Sequence, residues 1–208
     1  AGEPVPSERE LALAWQVNRH AVREALKRVQ QAGLVRISHG GKTLVLDWRR
    51  HAGLDVLSAL ASTGAVPPAE VLADVAVMRR SVAADAARLC AQRADEQQIA
   101  AVVAAAHAYP DSLDLAAVAA ADLEFWTAVI EGAGNLAYRL ALNTLVAAIT
   151  EVGAETIAGL NAAEVTDRPA HVDLAEAIAA RDAEGAGRQA AELLTRFVDA
   201  CAPRTEKE

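Results

Sequence analysis

The sequence predicts a mainly α protein in two parts, a short basic head and a longer acidic helical body. Three observations carry that reading. Alanine supplies 51 of the 208 residues and aromatic side chains only seven, and alanine favours helices while fitting sheets poorly. Charge divides unevenly: residues 1–50 hold nine Lys/Arg against five acids, a net +4, so the remaining residues are −12 within a total of −8. Apolar residues after position 53 recur at helical spacing almost throughout, and strand-like alternation is confined to positions 34–46. A hydrophobic content of 53% with 23% charged residues is enough for a core and excludes wholesale disorder. Every apolar run is interrupted by Asp, Glu, Arg or Gln, so no membrane span is expected. No basic-then-apolar leader opens the chain, so the expected location is cytoplasmic. Cys90 and Cys201 are too few for a disulfide framework or a cysteine zinc site and are read as buried small apolar residues.

The elements of the head follow in order. Pro6 keeps the entering chain extended, and Ser7-Glu8-Arg9-Glu10 has the pattern of a capping box. A helix then runs through Leu11, Leu13, Ala14 and Trp15. After a break at Gln16-Val17, Asn18 is a good cap for a second helix. Val22, Ala25, Leu26 and Val29 give that helix the spacing of a buried stripe. Gly33 stops it. Leu34–Ser38 alternates as a strand, His39-Gly40-Gly41-Lys42 turns, and Thr43–Leu46 returns. Helix, turn, helix and hairpin make a winged helix-turn-helix. Its second helix presents Asn18, Arg19, His20 and Arg23 from its first turns, where a recognition helix meets DNA. Arg19 suits guanine, Arg23 suits phosphate, and Arg9 suits the backbone or a groove edge. The Gly-Gly wing tip allows close approach to a duplex.

Pro6–Ala12, Val17–Leu26 and Gly33-Leu34-Val35 closely resemble the GntR family of bacterial transcription regulators. The family signature reads PSERELA, then VSRxxVREAL, then GLV. The resemblance covers about forty residues. It implies DNA contacts from Arg9, Asn18, Arg19, His20, Ala21 and Arg23, with His39, Gly40 and Gly41 on the wing. Asn18 and His20 replace the more usual Ser/Thr, so a different operator is expected. The family also carries a helix ahead of this motif, whereas only five residues precede Pro6. The head is therefore read as lacking its first helix.

The body reads as an all-α bundle of six or seven helices. Domain bounds are expected at 1–48 for the head, 49–53 for a polar connector and 54–203 for the effector-binding and dimerisation domain. Helices are expected at 54–62, 67–93, 95–108, 111–131, 135–160, 169–181 and 183–202. Glycine and proline mark breaks at Gly64, Pro67-Pro68, Tyr109-Pro110, Gly132–Asn135 and Pro169. Met78-Arg79, Asp122–Trp126, Gly134-Asn135-Leu136, and His171 with Ala177-Ile178 and Asp182 resemble the FCD domain of the FadR subfamily.

That resemblance implies a metal site made of an Asp, a His four residues on and two later His. The i, i+4 pair would share one helix face, and imidazoles with a carboxylate suit Zn, Ni or Mn. Asp122 and His171 occupy two of the four positions, while Trp126 and Leu193 replace His. No tight metal site and no cofactor are therefore expected. The resemblance implies an effector among small organic acids, amino or sugar acids, or acyl compounds, with an organic acid or acyl compound favoured. Arg79 matches a pocket arginine able to grip a carboxylate; Asp122, Trp126, Arg139 and His171 complete the candidate effector-binding set. For Asp122 a solvated helix carboxylate, and for Arg79 a surface residue beside Arg80, stand as the alternatives. Trp126 is read as filling space in place of a ligand.

The expected function is a DNA-binding transcription regulator, read as a repressor, with an activator as the other sign left open by the sequence. It is expected to be a homodimer on two-fold operator DNA and controlled by a small effector. The alternative is a metabolite-binding module that has lost DNA binding with its first helix. No nucleophile–base constellation points to an enzyme: His20, His39 and His51 fall in the head or connector, and His107 stands alone.

Overall fold

The computed structural model describes residues 1–38, 41–110, 114–152 and 159–202. They fall into two compact units, Ala1–Ala59 and Leu60–Glu208. In the first, α1 (Glu8–Ala14) starts at the predicted capping box. The Ser7 Oγ accepts the Glu10 N–H at 3.3 Å, and the Glu10 carboxylate accepts the Ser7 N–H at 2.8 Å. Gln16, at a left-handed φ of 54°, turns the chain. Asn18 caps α2 (Arg19–Gln31), its Oδ1 accepting the Ala21 N–H at 2.8 Å. Gly33 ends this helix at φ 74°, and a Cβ there would lie 2.2 Å from the His51 carbonyl oxygen. Only glycine fits that position.

The wing is short. β1 (Val35–Arg36) pairs antiparallel with β2 (Leu44–Val45), with Val35 opposite Val45 and Arg36 opposite Leu44. The chain before α1 adds to it. Gly2 N–H donates to Val45 O at 2.8 Å, Val45 N–H to Glu3 O at 2.9 Å, and Val5 N–H to Thr43 O at 2.8 Å. The opening residues thus satisfy the free edge of β2, a use that local pattern does not reveal. Leu11, Ala12 and Val22 form the head core, with Val5 and Leu26 packed on it. Of the expected α2 stripe, Val22 is buried, Leu26 and Val29 are half-buried, and Ala25 is exposed. A core this small covers one row of the helix and no more.

The segment expected as a polar connector forms α3 (Trp48–His51) instead. The Asp47 carboxylate accepts the Arg49 N–H at 3.2 Å and pairs with Arg50 at 3.5 Å, which nucleates the turn. A 3-10 turn over Leu54–Val56 leads into α4 (Leu57–Ser62), and the boundary between the two units falls inside α4.

The second unit contains α5 (Pro68–Arg93), α6 (Glu96–His107), α7 (Leu115–Ala133), α8 (Leu136–Val152), α9 (Ala162–Val165), α10 (Arg168–Ala179) and α11 (Ala183–Cys201). Aspartate caps recur: Asp95, Asp114, Asp167 and Asp182 each accept backbone N–H groups at a helix start. Asp114 explains why α7 begins later than the expected Asp111, since a carboxylate there satisfies the orphan donors; residues 111–113 lie outside the described set. The long helix expected over 135–160 is described as α8 to Val152, with 153–158 outside the described residues. The one-turn α9 was not expected.

α5 is the central rod and packs most extensively on α11, then on α7. Small side chains make this possible: Ala83, Ala86, Ala87, Cys90 and Ala91 of α5 share one core with Ala186 and Ala190 of α11. Arg181, at φ 62°, reaches back from the end of α10 to the Ala91 and Ala94 carbonyls at 3.2 and 2.6 Å. These orphan acceptors at the end of α5 thereby gain a charged donor. Cys90 is buried as expected, and burial pushes its thiol up to about 11. Cys201 is not: it lies half-exposed at the end of α11.

Gly132 marks the tightest approach of α7 to α5. A Cβ there would sit 2.5 Å from Cys90 Sγ and 3.2 Å from Ala94 Cβ. Gly132→Ala is expected to destabilise the body by about 1–3 kcal/mol through overpacking, despite alanine's better helix propensity. Chemical denaturation checks it; a stabilised variant would show that the helices can separate freely.

Candidate functional site

Two groups of residues stand out, one in each unit. In the head, Arg9, Asn18, Arg19, His20, Ala21, Arg23 and Gly41 are all exposed. His39 and Gly40 lie outside the described residues. Asn18 spends its side-chain oxygen on the helix cap, and Ala21 spends its N–H there too. Arg23, expected to meet phosphate, is paired within the head. Its Nε and Nη2 donate to the two Glu8 oxygens at 3.0 and 2.8 Å, a bidentate pair joining α2 to α1. Arg19 lies 3.8 Å from the same carboxylate. The Arg23 hydrogen bond and charge hold Glu8 below its ordinary pKa. Glu8 was read only as part of the capping box, because its partner is fifteen residues away.

In the body, a polar cluster is buried among aromatic rings. Asp122 on α7 is its hub. Asp122 Oδ1 accepts the Tyr109 hydroxyl at 3.0 Å and lies 3.2 Å from His171 Nε2, and its Oδ2 lies 3.4 Å from Arg79 Nη2. Arg79 Nη2 also lies 2.6 Å from Glu164 Oε1 on α9. His171 is wholly buried on α10, and its Nδ1 is 2.8 Å from the Asp167 carbonyl. Both ring nitrogens thus face oxygen atoms, one on the Asp167 carbonyl and one on the Asp122 carboxylate.

The two carboxylates are held unequally. Burial alone would raise the Asp122 pKa, but the His171 hydrogen bond and the Arg79 charge hold it below the ordinary value. For Glu164 burial prevails over Arg79, and its pKa is raised. Burial also raises the Tyr109 hydroxyl, and Asp122 raises it further. Desolvation works against the charged form of Arg79, yet Glu164 and Asp122 together raise its pKa above the ordinary guanidinium value. Among the described residues, Arg79 Nη1, Trp126 Nε1, Asn161 Oδ1 and Glu164 Oε2 are buried with no hydrogen-bond partner. Such orphans are rare in cores and need an explanation.

The cluster corrects several expectations. Asp122 is a buried hub rather than a solvated carboxylate, and Arg79 is a half-buried ion-pair partner rather than a surface residue. Trp126 is buried, with its ring 5.4 Å from Phe125 and edge-on to it, and the Arg79 guanidinium 5.9 Å from its centroid. Leu193 is core. Arg139 is not brought to the cluster: it pairs with Glu131 at 3.2 Å on a partly exposed surface. Tyr109 and Glu164 belong to the cluster but carry no signal in the sequence beyond a loop break and a helical acid.

The residues present do not fit a divalent metal. Asp122 and His171 bond each other, hydrophobic core fills positions 126 and 193, and the Arg79 guanidinium already brings positive charge to Asp122. Among the described residues no group of three His, Cys, Asp or Glu side chains is placed to hold an ion. Nor is any helix there long and apolar enough to cross a membrane.

Comparison with known proteins adds to this geometry. Residues 1–45 match the bacterial regulatory proteins of the gntR family, and residues 74–196 match the FCD domain. The HTH-type transcriptional regulator Mce2R of Mycobacterium tuberculosis is 36% identical over 93% of this chain and 80% of its own. The HTH-type transcriptional repressor NanR of Cronobacter sakazakii is 32% identical over 90% of this chain and 72% of its own. The fatty acid metabolism regulator protein of Edwardsiella ictaluri is 34% identical over 73% of this chain and 62% of its own. A solved GntR structure from Streptococcus agalactiae shares the fold, with a TM-score of 0.54 at 18% identity over 95% of this chain and 90% of its own.

The Asp122 network makes a pH-dependent prediction. A carboxyl whose folded pKa is lowered contributes stability that is present above its unfolded value, near 3.8, and lost as pH falls through the folded one. Asp122→Asn is expected to cost about 3 kcal/mol near neutrality by leaving Arg79 and His171 short of a charge partner. The gap to wild type begins to narrow below about pH 4, the unfolded value, and closes only as pH falls through the lowered folded one. Urea unfolding between pH 7 and 3 measures it, and a gap independent of pH would rule out the ionic role.

Proposed function

Since the chain belongs to the GntR family and carries its FCD domain, we propose that this DNA-binding transcriptional regulator is an effector-controlled repressor. It acts as a cytoplasmic homodimer on a two-fold operator. The observation that carries the DNA reading is the first turn of α2, capped by Asn18, with Arg19 and His20 exposed beside it. Arg19 reads a base edge, and Arg9 and the wing contact the backbone. Arg23, bound to Glu8, fixes α1 against α2 and so positions the recognition helix. The head is basic and the body acidic, which restricts contact with the duplex to the head.

The effector reading rests on the body cluster. Arg79, Asp122, Trp126 and His171 form the effector site, with Arg79 as the anion-binding group. Arg139 stands outside that site. A carboxylic or acyl effector fits a charged group surrounded by aromatic rings, and the relative named for fatty acid metabolism is consistent with that class. Effector binding shifts operator affinity by a coupling free energy between the two sites. Regulators of this family are not enzymes, and the cluster is assigned binding rather than catalysis.

DNA from the region upstream of the protein's own gene provides the test, with binding followed by fluorescence anisotropy at several stated salt concentrations. Arg19→Ala is expected to weaken specific binding by about 1–3 kcal/mol, with affinity falling steeply with salt in both proteins. Glu8→Ala is expected to weaken binding too, by releasing Arg23. Absence of any specific complex with the full-length chain would favour a metabolite-binding module instead.

A further inference from the structure

Arg79 is the one group that both body carboxylates share, and it holds them very differently. Asp122 is gripped by three partners from different elements: Tyr109 beyond α6, His171 on α10 and Arg79 on α5. Glu164 is held less fully: Arg79 Nη2 lies against its Oε1 and Asn161 is a further polar neighbour, yet neither carboxylate oxygen has a hydrogen-bond partner of good geometry among the described residues. The guanidinium is also incompletely used. Nη2 faces both carboxylates, whereas Nη1 is buried with no acceptor, and so is the neighbouring indole N–H of Trp126. Two donors without acceptors thus sit on the arginine that holds Glu164 and on the ring packed near that arginine.

We propose that Glu164 is the internal occupant of an effector-carboxylate seat on Arg79, and that a monocarboxylate effector binds by taking its place. The inference rests on the effector-site reading above and adds what competes for the site and what charge the ligand carries. An incoming carboxylate bridges Nη1 and Nη2 in the forked geometry that Glu164 does not reach, with the Trp126 N–H as a third donor. Charge sets the class. A monocarboxylate replaces the Glu164 carboxylate one for one and leaves the buried charge unaltered, whereas a dianion adds an uncompensated one. Glu164 has a short way to water, because α9 is one turn long and its neighbours Ala163 and Thr166 are exposed. The displaced helix is tied to α11, since Arg196 donates to the Ala163 carbonyl at 3.0 Å and pairs with Asp167. Exchange at the seat is thereby passed to a second element.

Butyrate is the probe and butyramide its uncharged counterpart, titrated into full-length protein. The readout is the indole N–H resonance of Trp126, identified against Trp15 and Trp48 with Trp126→Phe. Saturable perturbation by butyrate but not butyramide is expected in wild type. Glu164→Gln removes the competing charge at the same size and is expected to tighten butyrate by about tenfold, while Arg79→Lys, which lacks the fork, weakens it. In wild type, the labelled Glu164 carboxyl carbon is expected to move to a solvent-like shift as butyrate saturates, a result that needs no folded variant. Butyrate binding that depends on Arg79 but is unchanged or weakened in Glu164→Gln, with the Glu164 carbon unmoved, overturns the exchange and leaves the effector site standing. Absence of saturable binding in both wild type and Glu164→Gln, or binding indifferent to Arg79→Lys, overturns the effector-site reading and the exchange with it.

Discussion

The carboxylate of Asp122 is the constraint on which the body depends. It sits inside a bundle built mainly from alanine, where a bare charge would be costly. Its position is tolerated because Tyr109, His171 and Arg79 supply its bonds from three other parts of the unit. Each of these partners needs the carboxylate in turn, since the His171 ring and the Arg79 guanidinium are themselves withdrawn from water. The result is mutual: α5, α7 and α10 cannot shift independently without stranding a charge. Apolar packing of small side chains is comparatively permissive about register, so the ionic hub supplies specificity that alanine does not.

The aromatic side chains reinforce that hub. Tyr109, Phe125, Trp126 and Phe197 are four of the seven aromatics in the chain, and all border Arg79 or His171. Their rings exclude water from the charges, which strengthens each pair and sharpens the cost of any unpaired atom. Among the described residues, Arg79 Nη1 and Trp126 Nε1 nevertheless remain buried without an acceptor.

The head solves a different problem with the same chemistry. Its core is a handful of side chains, so its geometry leans on polar devices: the Ser7–Glu10 box, the Asn18 cap, and the Glu8–Arg23 pair between helices. Solvent screens these exposed interactions, and their value lies in orienting α2 more than in stability. The opening residues contribute by completing the edge of β2, where unpaired groups would otherwise face solvent.

Much of this was legible in the residues. The Ser7 capping box, the Asn18 cap, the stop at Gly33 and the helical period of the body are local, and local chemistry decides them whatever surrounds them. The Ser7 box and the Asn18 cap therefore appear as expected, and the resemblance to the GntR and FCD families follows from motifs equally local. Pairings across long separations were not legible. Glu8 with Arg23, Arg79 with Glu164, and Tyr109 with Asp122 depend on which helix faces meet, and periodicity in an alanine-rich helix barely distinguishes one face from another. The sequence by itself determined most of the longer helices, the two caps of the head and the presence of a basic reading head on an acidic bundle, while the short α3 and α9 escaped it. Only the tertiary structure decided that Asp122 is buried, that Arg139 stands apart from it, and that Glu164 shares its arginine, because burial and charge pairing are properties of packed helices rather than of any segment of chain.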